Sequence, residues 1–204
     1  MIILLLILCA VIGYLLGSIN SAVIVGKVFY KKDVREYGSK NAGLTNTLRV
    51  FDKKAAVMVL VGDILKGVMA CVIGSLISPQ YGLIIGGLMA VIGHNWPLYF
   101  KFKGGKGVLT SATVILMFDW KIGLIVLGIF IIIVAITKYV SLGSILASTS
   151  LVIFAIIMGK DIVFIAVSII LASLIIYRHK QNVKRLLKGE ENKLQFNKGK
   201  KSDS

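Results

Sequence analysis

The sequence predicts an all-α polytopic membrane protein of seven transmembrane helices, with the N-terminus outside and the C-terminus in the cytoplasm. Three observations lead there. Of the 204 residues, 57% are hydrophobic and only 16% charged, against the quarter usual in soluble domains, and the mean hydropathy is +0.88. The apolar residues run in long blocks rather than in short amphipathic patterns. The basic residues gather between those blocks and in the tail, as the positive-inside bias requires of cytoplasmic loops.

Five apolar blocks are plain, at 2–26, 55–77, 81–100, 107–137 and 142–177. The last two are too long to cross once: residues 107–137 would make a helix of about 45 Å against a hydrocarbon core of about 30 Å. Each has a polar pinch near its middle, at Asp119-Trp120-Lys121 and at Gly159-Lys160-Asp161. Breaking both there gives seven spans, of which 107–118 is the shortest. Parity agrees, since loop 27–54, loop 101–106, Lys138 and the tail from Arg178 then share one side and hold 21 of the 24 basic residues. Small residues at four-residue spacing, such as Gly82, Gly86 and Ala90, read as close helix packing.

The chain is expected to be one transmembrane domain over 1–192, followed by a basic cytoplasmic tail, 193–204, that is mobile and dispensable. The N-terminus lacks a basic n-region and a small-residue cleavage site, so it reads as a retained first span. A net charge of +15 reflects cytoplasmic loops rather than nucleic-acid binding, because no soluble domain remains to present a basic face. Cys9 and Cys71 lie in apolar segments, and two histidines without a Cys/His cluster argue against a metal or other cofactor.

Three polar stretches carry chemistry. The first runs Gly38-Ser39-Lys40-Asn41-Ala42-Gly43-Leu44-Thr45-Asn46-Thr47-Leu48-Arg49. It reads equally as a turn-rich loop or as a phosphate grip of permissive glycines, hydroxyl and amide donors and an arginine. The second, Lys101-Phe102-Lys103-Gly104-Gly105-Lys106-Gly107, opens a helix whose positive N-terminal end adds to the Lys106 charge. Lys101 and Lys103 read as snorkelling side chains, and Gly104 to Lys106 as an anion site. The third, from Arg178 to Lys193, places His179 and Asn182 on one helix face, looking back at the bundle. Ser141 suits a helix N-cap or a substrate contact. Asp63 and Lys66 form an i, i+3 pair inside a span, and His94-Asn95-Trp96-Pro97 reads as a kink with a satisfied imidazole; both are expected to be structural.

These clusters, in this order, resemble the bacterial acyl-phosphate:glycerol-3-phosphate acyltransferases, the PlsY family. Gly17-Ser18 with Ser21, Gly38–Arg49, Gly62-Asp63 with Lys66-Gly67, His94 to Pro97, Phe102 to Gly107, and Arg178-His179 with Asn182 and Arg185 all look like its motifs. The resemblance covers nearly the whole chain. It implies a metal-free and cofactor-free, monomeric enzyme of the bacterial plasma membrane whose active site faces the cytoplasm. Its partners would be acyl phosphate, glycerol 3-phosphate and membrane lipid, and its products lysophosphatidic acid and phosphate. By this similarity Lys106, Ser141 and His179 are the catalytic candidates. Ser39, Asn41, Thr45, Asn46, Arg49, Gly104, Gly105 and Asn182 are the substrate-binding ones. Asn20 and Ala42 stand where the family often has proline, and Lys40 where glycine is usual. An activated mixed anhydride needs no covalent enzyme intermediate, and no G-x-S-x-G elbow is present. His94 is followed four and five residues later by Leu98 and Tyr99, so the His-x4-Asp signature of other glycerolipid acyltransferases is absent as well. A transporter using the same anion-binding residues is the rival reading, disfavoured by the nearly featureless outer halves of the spans.

Overall fold

The structure is a computed structural model that describes residues 1–194. Ten helices follow one another: α1 (Ile2–Gly17), α2 (Ser21–Phe29), α3 (Leu44–Val50), α4 (Lys53–Ile77), α5 (Gly82–Asn95), α6 (Val108–Phe118), α7 (Trp120–Thr137), α8 (Val140–Ile157), α9 (Ile162–Arg178) and α10 (Lys180–Leu187). Short 3₁₀ turns at Val34–Glu36 and Leu98–Phe100 punctuate the loops. Stretches 2–29, 53–77, 82–100, 120–137 and 140–157 are long and apolar enough to cross a bilayer. A sixth candidate exists only as α9 plus α10, bent by 60° at His179. The 11 residues of α6 reach only about 17 Å.

Both polar pinches are helix breaks, and the caps explain why. The Asp119 carboxylate accepts the Ile122 amide, starting α7, and Asp161 accepts the amides of Val163 and Phe164, starting α9. The two pinches also meet: Lys160 Nζ lies 2.5 Å from Asp119 Oδ2. One ion pair therefore joins the α6–α7 and α8–α9 turns at the end of the bundle away from the site described below.

The first apolar block is broken as well, which its hydropathy did not show. At Ser18–Asn20 the chain leaves α1; the Asn20 side chain caps α2 at Val23 N (3.1 Å), and Lys66 Nζ donates to the Ile19 carbonyl (3.0 Å). Asn20 also donates to the Ala42 carbonyl at 3.4 Å. The two positions where proline is usual in the resembled family thus touch each other, both buried.

Glycines bring α1, α4 and α5 into backbone contact. A β-carbon at Gly13 would overlap Gly86, one at Gly17 would overlap Ala90, and one at Gly74 would overlap Gly82. This is the close packing that small-residue spacing suggested. The 27–54 stretch is folded rather than a free loop: Val23, Val25 and Val34 pack with Ala42, Ala55 and Val59 in a small core of their own. A second, larger core of Cys71, Val91, Val114, Ile115, Ile122, Leu151, Phe164 and Leu171 ties α4, α5 and α6 to α7, α8 and α9.

Of the tail expected to be mobile, residues 195–204 lie outside the described residues. Lys193 and Leu194 are placed: the Leu194 amide donates to the Lys138 carbonyl at 2.7 Å, and the Lys193 ammonium lies over the Tyr139 ring.

Candidate active site

Alternating helix directions put the α6 start, the α7 end, the α8 start and the α9 end together, and the 38–49 segment folds over them. Between these elements lies a cavity of about 220 Å³. Its mouth is polar, bordered by Ser39, Asn41, Thr45, Arg49, Lys106, Ser141, His179, Asn182 and Glu191. Its inner arm is apolar and runs among α6, α7 and α8 past Leu109, Ala112, Val126, Phe130, Ala147 and Leu151.

The loop that carries Ser39 is built on Asn46. Its side-chain oxygen accepts the Ser39 amide (2.8 Å), and its nitrogen donates to the carbonyls of Val34 (2.9 Å) and Tyr37 (3.1 Å). Asn46, a substrate-binding candidate, borders the cavity with its amide engaged by backbone, so it shapes the loop that carries Ser39. Gly38 and Lys40 turn with positive φ, +59° and +57°. The left-handed conformation at Lys40 is a physical reason for glycine at that position.

Lys106 follows a clamped glycine pair. The Gly105 amide donates to the His94 carbonyl (3.0 Å), and the Gly105 carbonyl accepts Arg178 Nε (3.0 Å) and Nη2 (2.7 Å). Arg178 Nη2 also reaches the Gly104 carbonyl (3.3 Å), and its guanidinium stacks over Trp96. A β-carbon at Gly105 would overlap the His94 imidazole. The Gly105 amide is therefore spent on the His94 carbonyl and not aimed at an anion. The two glycines are pinned between His94 and Arg178, off the cavity wall, and they deliver Lys106. Gly107, at φ +75°, then starts α6, and Gly107 and Val108 do border the cavity. The first turn of α6, whose N–H groups lack helical partners, thus borders the same cavity as Lys106.

His94 rests on a buried polar network. Its Nδ1 lies 2.8 Å from Lys66 Nζ; Lys66 pairs with Asp63 Oδ1 at 2.8 Å, and that oxygen accepts the Ser21 hydroxyl at 3.0 Å. All four side chains are nearly free of solvent contact. The network expected to be structural lies beneath Gly105 and reaches the site itself, since Asp63 and His94 also border the cavity.

The far side of the mouth is organised by Glu191, which the sequence reading did not single out. Its Oε1 accepts from Ser141 Oγ (2.9 Å) and Asn182 Nδ2 (2.6 Å), and its Oε2 from Arg185 Nε (2.7 Å). Burial by itself would raise its pKa, but the hydrogen bonds from Asn182, Arg185 and Ser141 outweigh it and hold the carboxyl below its ordinary range. Asn182 Oδ1 in turn accepts from Lys106 Nζ. Ser141 is the second residue of α8 and not its N-cap; its hydroxyl goes to Glu191. Arg49 Nη2 meets the Asn192 carbonyl at 3.2 Å, so residues 191–192 strap the mouth together.

Cations outnumber the carboxylate. Burial pushes Lys106 down to about 8; Glu191 opposes this, while Arg185, Arg178 and Arg49 add to it. Burial likewise lowers His179 to about 4, with the Lys106 charge acting in the same direction. His179 is thus a neutral imidazole at pH 7. Its Nδ1 lies 2.8 Å from the Ile175 carbonyl and must donate there, leaving Nε2 as an acceptor. An anion entering the mouth would restore to Lys106 and Arg49 the favourable surroundings that burial removed.

Fold and site together define a multi-pass membrane protein with a cation-rich mouth joined to an apolar arm. A family model described as glycerol-3-phosphate acyltransferase matches residues 7–189. The chain is 47% identical over 188 residues to the glycerol-3-phosphate acyltransferase of Thermoanaerobacter pseudethanolicus, covering 92% of this chain and 95% of that one. It is 48% identical over 187 residues to the same-named protein of Fusobacterium nucleatum, covering 91% and 96%. It superposes on the crystal structure of PlsY, an integral membrane glycerol 3-phosphate acyltransferase, in its glycerol 3-phosphate form, with a TM-score of 0.87 at 35% identity over 93% of this chain and 96% of that one. The lysophosphatidic acid form gives 0.84 at 34% identity, over 94% and 96%. The chain belongs to the glycerol-3-phosphate acyltransferase family.

Proposed function

We propose that this protein transfers a fatty acyl group from acyl phosphate to the 1-hydroxyl of glycerol 3-phosphate, releasing lysophosphatidic acid and phosphate. The observation that carries the reading is one cavity that joins a cation-rich mouth to an apolar arm. Both substrates bring phosphate to the mouth, and only one brings a chain to the arm. The chain crosses the plasma membrane seven times, with the N-terminus outside, and the mouth opens to the cytoplasm, where the basic loops lie. It is read as a monomer, as the family resemblance implies.

Arg49 and Lys106 hold the phosphates, with Ser39, Asn41 and Thr45 as further donors to substrate. The glycerol hydroxyl attacks the acyl carbonyl carbon; the new ester C–O bond forms as the carbonyl–phosphate C–O bond breaks. Lys106 offsets the charge developing on the carbonyl oxygen or leaving phosphate. The hydroxyl proton passes to His179 Nε2 or to a phosphate oxygen of the substrates, both acceptors at neutral pH. Ser141 and Asn182, held by Glu191, orient the acceptor.

The test is direct. Purified protein in lipid nanodiscs is given glycerol 3-phosphate with acyl phosphate or with an acyl thioester, and lysophosphatidic acid is measured. Product from acyl phosphate at a rate abolished by Lys106→Ala supports the reading; no product, or product indifferent to Lys106, removes it.

A further inference from the structure

Resting on that acyltransferase reading, we infer that Leu151 and Ile115 form a stop that sets how long an acyl chain the cavity accepts. On α8, Ser141, Ser144, Ala147, Ser148 and Leu151 all border the cavity, and their spacing places them on one helix face. The first four are small and the fifth is the first bulky side chain on that face. Ser144 and Ser148 donate to the carbonyls of Val140 (2.8 Å) and Ile145 (2.9 Å). Their hydroxyls are thereby satisfied within the helix, and the wall they give the arm is suited to a hydrocarbon.

The stop itself is rigid. Leu151 and Ile115 are each 3% exposed and belong to the core with Val114, Ile122, Phe164 and Leu171. A tip that reaches them meets close-packed side chains. From Ser141 to Leu151 the helix rises about 15 Å, half of a hydrocarbon core about 30 Å thick. That is the reach of one leaflet, and so of one ordinary long acyl chain.

Ser111 Oγ, on α6 across the arm, is buried, borders the cavity and has no hydrogen-bond partner. It lies one helical turn beyond Gly107, where the polar mouth gives way to the apolar arm. It is also one helical turn, about 6 Å, short of Ile115, so it marks a polar point in the arm's wall, while the acyl carbonyl stays at the mouth beside Lys106.

The experiment measures kcat/KM across a ladder of saturated acyl phosphates, with glycerol 3-phosphate held constant, for the wild-type protein, Leu151→Ala and Ser148→Leu. Leu151→Ala is expected to move the optimum to longer chains and Ser148→Leu to shorter ones. Each methylene gained or lost at the stop should change discrimination by about tenfold or more, with KM for glycerol 3-phosphate unmoved. If an alanine cavity at position 151 unfolds the protein, Leu151→Val and Ile115→Val make the same comparison. A length profile identical to wild type in every folded variant, at full or reduced rate, overturns the inference. A wild-type protein that turns over no member of the ladder instead overturns the acyltransferase reading, so the two failures are distinct.

Discussion

The Glu191 carboxylate accepts the side-chain amide of Asn182 at 2.6 Å. This fixes which end of the Asn182 amide faces Lys106: with the nitrogen turned to Glu191, the oxygen is left for the ammonium. Glu191→Gln would offer a donor in place of one acceptor oxygen, letting Asn182 and Ser141 turn. Misplacement on the scale of an ångström costs about 10²-fold in rate, and kcat/KM for glycerol 3-phosphate is expected to fall by that order. Unchanged kinetics in a folded Glu191→Gln protein would remove Glu191 from the positioning machinery.

The fate of Glu191 and of the glycines marks the boundary of what the sequence disclosed. The helix breaks at Asp119 and Asp161 were legible because an acid before an apolar run both caps a helix and interrupts hydropathy. Lys106, Arg49, Ser141, His179 and Asn182 were legible as residue types, and they border one cavity. Glu191 was hidden because its meaning depends on a strap returning to α8 from 50 residues away. Gly105 read as an amide donor because composition alone does not tell which face of a peptide is turned to the site. The α1–α2 break was hidden because Asn20 acts through a cap and Lys66 through a carbonyl, and neither interrupts the apolar count over 2–26.

Lys106 should impose an alkaline limit. Burial holds its ammonium at about 8 in the free protein, so the cation is present below that pH and lost above it. The profile of kcat/KM, which reports the free enzyme, is expected to fall as pH rises through about 8. A bound phosphate favours the charged form, moving the corresponding limb of kcat to higher pH. Lys106→Arg keeps the charge throughout this range and should flatten the limb even where its overall rate is low. A limb that survives in Lys106→Arg belongs to another group.

His179 should impose no limit near pH 6.5. With its pKa lowered to about 4, the imidazole stays neutral down to mildly acid pH, so any limb between pH 7 and pH 5 belongs to the substrate phosphates, whose second pKa is about 6, and should persist in His179→Gln. If Nε2 takes the hydroxyl proton, His179→Gln loses about 10² to 10⁴-fold in kcat. If a substrate phosphate takes it, the same variant retains most of its kcat. The kcat of that one variant in saturating substrates decides between the two acceptors.

Lys40 carries a conformational cost that can be removed. Its φ of +57° lies in the left-handed region, which disfavours a side chain by about 1–2 kcal/mol. Lys40→Gly relieves that strain, while the freer unfolded chain takes back up to about 1 kcal/mol. The expected result is a small rise in thermal unfolding temperature in detergent, with KM for glycerol 3-phosphate unchanged. A fall in temperature would mean that the Lys40 side chain makes a stabilising contact larger than its strain.

The Asp63–Lys66 pair predicts an asymmetry between single and double replacement. The two groups lie 2.8 Å apart with side chains 3% and 4% exposed, so removing one partner leaves the other charged and unpaired in an apolar setting. Asp63→Leu or Lys66→Met alone should cost about 3–5 kcal/mol. The double variant, which leaves no orphan charge, should recover much of that stability. Its activity is the more informative number. Lys66 also holds the His94 ring, and His94 lies beneath Gly105, so a protein restored in stability but with a loosened 104–107 segment should bind glycerol 3-phosphate more weakly. Recovery of both stability and KM in the double variant would show that the network serves packing alone; recovery of stability without KM would show that it aims Lys106.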